Sequence, residues 1–370
     1  MTEFLSFDSS NAELIGAVSG VFGLALGLTV LAVILARKMA LKWGIVDKPG
    51  GRKQHDVPVP PVGGLAIFSV LIICVTIVGS IYGISLPIAL LLSLLITLVL
   101  GVIDDIREVD ARLKFVIHFL VAGILVIGGH AQIIGLGDLL GFGPIWLGWM
   151  AIPFSMACVV YIINAVNMMD GLDGLAAGNT LIIFLWFGLA AFMGEQIKPL
   201  IEISIFSACL IGFLTLNARL PWNKHAKIFL GDAGSMGLGI MIAWYAITLS
   251  QNNHIPLPPV SVAWIIALPI IDAFGLLVAR LKDKKPPFSP DRRHFHHHFI
   301  NAGFGVGPAV YTIIGWSIIL GSIGFLGAIA GLPQGLLGWA WVVLWLGHAA
   351  LTIHHQKFIR LLSRATSSAK

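Results

Sequence analysis

Long apolar runs alternate with short polar segments along this chain, and each run ends in Gly, Pro or charged residues. The runs approach the roughly 20 residues a helix needs to cross a bilayer. About eleven can be counted, near 14–36, 63–82, 86–103, 115–128, 147–163, 175–193, 201–216, 235–249, 262–279, 309–330 and 335–353. The pattern predicts an all-α, polytopic integral membrane protein of about 11 transmembrane helices, built as a single membrane-embedded domain over 1–370. An odd count puts the termini on opposite sides of the bilayer.

Composition strengthens that picture: of 370 residues, 57% are hydrophobic and 11% charged, with a mean hydropathy of +0.93. Soluble domains of this length do not have such a balance. Lys and Arg resist translocation and gather in cytoplasmic loops. With the amino terminus outside, 22 of the 23 Lys and Arg fall on the inner side, Lys198 alone being outside. The N-terminus is therefore expected to be periplasmic and the C-terminus cytoplasmic. Glu3, Asp8 and Glu13 precede the first run and Arg37, Lys38 and Lys42 follow it, the reverse of a signal peptide's order, so the helix reads as retained. The net charge of +5 follows from these loops and from anionic lipid or phosphate ligands, not from nucleic acid. Cys74, Cys158 and Cys209 lie in apolar runs without paired spacing and read as packing residues.

Carboxylates are scarce, and the sharpest groups fall where apolar runs end. Acids at a membrane boundary are expensive unless they bind something. Asp104 and Asp105 close the third run, where a helix C-terminus opposes their charge, so metal or a proton acceptor role is expected. Asn164, Asn167, Asp170 and Asp173 recur every three residues after the fifth run, and Gly171 and Gly174 predict a broken helix end there. A third group is Phe229-Leu-Gly231-Asp232-Ala-Gly234-Ser235, in which Asp232 offers a hard oxygen ligand, Lys227 lies nearby, and the glycines allow close backbone approach. The loop holding Arg52, Lys53 and His55 runs into Gly63-Gly64, whose amides are expected to face an anion at a helix start. The last segment carries Arg280, Arg292, Arg293 and the run His294-Phe-His296-His297-His298, which suggests a diphosphate cradle. Zinc is the rival ligand there, but no cysteine or nearby carboxylate pair completes a closed site in the sequence. Asp272 reads as an embedded packing or supporting acid, and Asn217 cannot be placed.

Taken together, Arg52-Lys53-Gln-His55 with Pro61-Val-Gly-Gly64, Asp104-Asp105, Asn164-Ala-Val-Asn167-Met-Met-Asp170-Gly-Leu-Asp173, Phe229-Leu-Gly-Asp232-Ala-Gly-Ser235 and Ser289-Pro-Asp291-Arg-Arg-His294-Phe-His296-His297 resemble the polyprenyl-phosphate N-acetylhexosamine-1-phosphate transferases over essentially the whole chain. The final motif looks more like the N-acetylglucosamine branch than the muramoyl-pentapeptide branch. Glu108 stands where many members have a third aspartate, and Phe295 replaces the usual isoleucine.

The resemblance implies transfer of N-acetylglucosamine 1-phosphate from UDP-N-acetylglucosamine to undecaprenyl phosphate with release of UMP. That would be the first lipid-linked step of O-antigen or another envelope polysaccharide, at the cytoplasmic face of a bacterial inner membrane. Mg2+ is the implied cofactor, with Mn2+ as a substitute, because phosphoryl transfer rests on alignment and charge neutralisation. The implied ligands are Asp232, Asp105 and Asn167. Asp104 and Asp105 are the implied catalytic pair, with the division between them open. Lys53, Asn164, Asp170, Asp173, Phe229, Arg280, His294, His296 and His297 are the implied substrate residues. Small-residue runs such as 321–331 would serve helix contacts within one chain or in a homodimer. An ion-coupled transporter is the rival class, but its acids should sit near mid-bilayer.

Overall fold

The computed structural model describes residues 9–47, 58–286, 291 and 293–367. Helices dominate because in lipid each backbone polar group must be satisfied within its own segment. Those long enough to cross are α1 (Ser9–Trp43), α2 (Gly63–Tyr82), α3 (Ile88–Ile106), α4 (Ala111–Gly123), α5 (Ala151–Met169), α6 (Leu175–Met193), α7 (Ile197–Asn217), α8 (Gly231–Ser250), α12 (Val306–Ile329) and α13 (Gln334–Ile353), α4 being extended by a π-turn to Gly128. Among the described residues the one sheet pairs β1 (Gly135–Gly137) with β2 (Ile145–Trp146), antiparallel, between α4 and α5.

The run near 262–279, expected as one span, is instead broken into α9 (Pro259–Ile265) and α10 (Ala267–Lys282), bent by 78°. Pro269 explains the break, because it has no N–H to give the Ile265 carbonyl and its ring crowds that carbonyl. Among the described residues the membrane count is thus 10 helices, or 11 with the bent pair as one span. Two shorter helices, α11 (Phe295–Asn301) and α14 (His355–Ser367), lie outside the spans.

α8 is the axis of the bundle: 89% of its spanning window is buried, against 17% for α1. It packs on α2, α3 and α5. A Cβ at Gly101 would strike the Ala233 backbone, and one at Gly64 the Gly234 backbone, so these glycines let α3 and α2 close on the first turn of α8. The acids at the end of α3 are thereby carried to Asp232. Among the described residues, Lys198 at the start of α7 is the one Lys or Arg at the opposite end of the bundle.

Candidate active site

The acids at three span ends converge. α8 starts from Gly231, which adopts φ +76°. A side chain there would lie 2.5 Å from the Pro61 carbonyl and 2.7 Å from Asp105, so glycine is required for the docking. Asp105 then caps α8, its Oδ1 accepting from the Asp232 amide at 2.9 Å and its Oδ2 from the Ala233 amide at 3.4 Å. A carboxylate in this place satisfies amides that have no partner inside the helix and favours the dipole. Asp104 is 7% exposed and has other partners. Its Oδ1 accepts from the Val109 amide at 2.8 Å, its Oδ2 from Lys114 Nζ at 2.6 Å, and its carboxyl lies within hydrogen-bonding reach of Asp232. Asp232 Oδ1 accepts from Asn167 Nδ2 at 2.7 Å, and Asn167 also donates to Ser235 Oγ at 2.8 Å. Two carboxylates in contact with one lysine beside them repel unless a proton or a cation joins them. An all-oxygen set of this kind suits a hard divalent cation, and Mg2+ fits it.

α5 ends at Met169, and the chain turns through Asp170 to Gly174 (φ +83°) before α6, the broken helix end that the glycines predicted. Asp170 is exposed. Although the residue is exposed, the protein packed around its carboxyl, and then the charges of Asp232, Asp105 and Asp173, push its pKa up to about 8. Asp173 is engaged with the next loop, accepting from Arg219 Nε at 2.8 Å and from the Ala226 amide at 3.4 Å. Asn217 joins the same two segments: its Oδ1 accepts from the Gly174 amide and its Nδ2 donates to the Ile228 carbonyl, both at 2.8 Å.

The histidine segment packs against the same turn. A Cβ on Gly171 would collide with His296 Nε2, so the turn after Asp170 and α11 are in direct contact. His294 and His296 stack with ring centres 5.3 Å apart, and His297 lies 4.3 Å from His296. Burial, then His297, pushes the His296 imidazole down to about 3. Asp291 is the hub of the preceding loop, bound by Arg293 at 2.9 and 2.7 Å and 3.7 Å from Arg280. Burial works against its ionisation, but the hydrogen bonds and charge of Arg293 hold its carboxyl below the ordinary range. Arg293 also pairs with Asp283 at 2.8 Å, so this expected cradle arginine is turned to carboxylates of its own segment.

Comparison with known proteins gives the family. The profile of glycosyl transferase family 4 matches residues 87–250. The undecaprenyl-phosphate alpha-N-acetylglucosaminyl 1-phosphate transferase of Escherichia coli O157:H7 is 32% identical over 298 residues, 80% of either chain. The enzyme of that name from Salmonella typhi is 30% identical over 312 residues, 84% of either chain. The probable undecaprenyl-phosphate N-acetylglucosaminyl 1-phosphate transferase of Bacillus subtilis (strain 168) is 33% identical over 293 residues, 77% of this chain and 78% of that one. The chain belongs to glycosyl transferase family 4. Within it the chain is a polyprenyl-phosphate N-acetylhexosamine-1-phosphate transferase family member, as the motifs implied.

Against the family motifs, the structure brings Asp104, Asp105, Asn167, Asp170 and Asp232 together and sets His296 beside them. Asn164 lies one turn deeper, its Nδ2 bound to the Val160 carbonyl at 2.7 Å and 3.2 Å from His118 Nδ1. Phe229 is half-buried, and its backbone bonds Pro60 and Gly63. Lys53, with Arg52, His55 and Arg292, lies outside the described residues. The expected anion site at Gly63-Gly64 is corrected: these amides donate to the carbonyls of Phe229 and Leu230 at 2.9 and 2.8 Å, because the glycines serve the approach of α2 to α8. The sequence offered no cysteine or nearby carboxylate pair to close a metal site at the histidines, and the structure adds one carboxylate distant in sequence, Asp272. Asp272, His294 and His296 are all buried, with donor atoms within 4.8 Å of one another, a group of metal-binding size. No site role was legible in the sequence for Lys114 or Arg219, and Asn217 could not be placed, because their partners Asp104, Asp173, Gly174 and Ile228 lie in other segments or across a turn.

Proposed function

We propose that this chain transfers N-acetylglucosamine 1-phosphate from UDP-N-acetylglucosamine to undecaprenyl phosphate at the cytoplasmic face of a bacterial inner membrane. The observation that carries the reading is the contact of Asp104 with Asp232, beside Asp170, at the end of the bundle rich in basic residues. The names of the relatives, over about 80% of the chain, supply the substrate class. A phosphate oxygen of the lipid attacks the phosphorus that bears the sugar. The bond between the two phosphates of the donor breaks, and UMP leaves with that oxygen. One phosphoanhydride is broken and one made, so the reaction should run backwards with UMP.

Asp232 and Asp104, with Asp105 next to them, would hold Mg2+ or Mn2+, which would neutralise phosphate charge. Asn167 orients Asp232 through its amide, and Lys114 offsets the charge of Asp104. Asp170 faces the uridine half, with Phe229 as the stacking candidate; Asp173 supports that turn through Arg219. His294, His296, His297 and Arg280 hold the diphosphate end. Catalysis is alignment with charge neutralisation, and the lipid phosphate is itself the anionic nucleophile.

The test is UMP release by purified protein with undecaprenyl phosphate, Mg2+ and UDP-N-acetylglucosamine, beside an Asp232→Ala control. Release that vanishes in the control supports the reading. Activity with a different UDP-N-acetylhexosamine alone would replace the sugar and keep the reaction, and silence with every donor would sink both.

A further inference from the structure

The histidine segment is held from behind by residues that neither the motif nor the proposed mechanism uses. Asp272, 4% exposed, lies on α10 shortly after the bend at Ile266. Its Oδ2 lies 3.1 Å from His294 Nδ1, and its Oδ1 accepts from the Phe295 amide at 2.8 Å. A carboxylate only accepts, so the ring nitrogen facing it must donate. With Nδ1–H turned to Asp272, the His294 ring has one orientation, and Nε2 points away from α10.

A second buried imidazole backs the carboxylate. His348, on α13 and 6% exposed, has Nε2 3.7 Å from Asp272 Oδ1. Its seat exists because position 275, almost one turn after Asp272, is glycine: a Cβ there would lie 3.0 Å from His348 Cδ2 and 2.8 Å from Thr352 Oγ1. The Phe295 ring closes the group, edge-on to His348 at 5.3 Å and parallel to Phe358 of α14 at 6.4 Å. Three separate helices thus converge on one carboxylate, which in turn fixes the residue that begins α11.

We infer that Asp272 and His348 are positioning residues that fix the tautomer and direction of His294, so that its Nε2 meets the phosphate end of the nucleotide sugar. The inference rests on the placing of the diphosphate at the histidines proposed above. Asp272 acts through His294, and His348 acts through Asp272.

A double-mutant cycle tests this, with UMP release measured across nucleotide-sugar concentration. Asp272→Asn and His294→Ala should each lower kcat/KM for the nucleotide sugar by about 10- to 100-fold, the loss usual when an acid that orients a working histidine is removed. The double variant should lose no more than the worse single one, because both changes remove one interaction. His348→Phe should cost less, and nothing further in the Asp272→Asn background. Losses that multiply across the cycle would overturn the inference, since two independent packing defects behave that way. If Asp272→Asn does not fold, Asp272→Glu, which keeps the acceptor, takes its place and should lose less than His294→Ala. A readout independent of turnover is 15N-histidine NMR, with His294 assigned by its loss in His294→Ala. The Nδ1–H tautomer in the wild type supports the inference and the opposite tautomer refutes it, even if no donor is turned over and the proposed reaction falls.

Discussion

The two ends of the bundle spend their polar residues differently. At the end away from the acids, Gln251 uses its Oε1 on the amides of Ile134 and Gly135 and its Nε2 on the Gly135 carbonyl, and Gln334 accepts from the Asp138 amide. Ser155 likewise accepts from Ile133 and donates to Ala151. These are neutral groups paired with backbone, and they tie β1 and its loop to the helices. At the other end Asp104 meets Asp232, and Asp170 lies near enough to feel that charge. The neutral groups named at one end are paired with backbone, and the other end holds like charges together. Such an arrangement stabilises nothing by itself and is expected where a cation and phosphates bind.

The largest effect expected from this contrast is at Asp232. Asp232→Asn should lower UMP release by about 10²- to 10³-fold, the usual cost of losing a group that offsets developing charge. Its melting temperature should hold or rise, because a repulsion is relieved; a collapse of Tm with activity would mean that the acids serve the fold. Chelation by EDTA should also abolish turnover, and Mg2+ or Mn2+ should restore it. Turnover that survives exhaustive chelation would remove the metal from the proposal.

Gly101→Ala joins the two sides of the comparison. The added methyl meets the Ala233 backbone and must push α3 off α8, an overpacking cost of about 1–3 kcal/mol. Because α3 carries Asp104 and Asp105, thermal stability and kcat should fall together. Gln251→Ala should separate them: amides left without an acceptor cost about 1–3 kcal/mol, while kcat/KM stays at the wild-type value. A kinetic defect in that variant would show that the two ends are coupled.

The smallest effect is a pH dependence of stability at His298. It is 1% exposed, neither ring nitrogen has a hydrogen-bond partner among the described residues, and burial pushes its imidazole down from 6.5 to about 4. A depressed pKa means that the unfolded chain binds the proton more readily. This contribution to stability is therefore complete above pH 6.5 and is lost as the pH falls through about 4. Thermal unfolding between those values should show a shallower fall in Tm for His298→Leu than for the wild type.

The spans were legible because length and hydropathy are local properties. α2 and α6 occupy the residues that the apolar runs marked, and the ends of α5 and α6 fall where Gly171 and Gly174 predicted a break. The ninth run was legible as a span but not as a bent one, because hydropathy does not register the backbone effect of Pro269. Asn217 was illegible for a different reason. Its two bonds run to Gly174 and Ile228, in segments 43 and 11 residues away, and no spacing rule links them.

By itself the sequence determined that this is a membrane protein, where its helices cross, and which acids stand at their ends, because an apolar run and a charge at its boundary carry their energetic meaning locally. Tertiary structure alone decided what each acid faces. Asp104 and Asp105 are neighbours in sequence, but successive helix residues point about 100° apart. One therefore caps α8 and the other meets Asp232. Likewise, nothing in the spacing of Asp272, His294 and His348 joins them. The bend before α10 and the bare backbone at Gly275 do, by letting three helices close around one buried carboxylate.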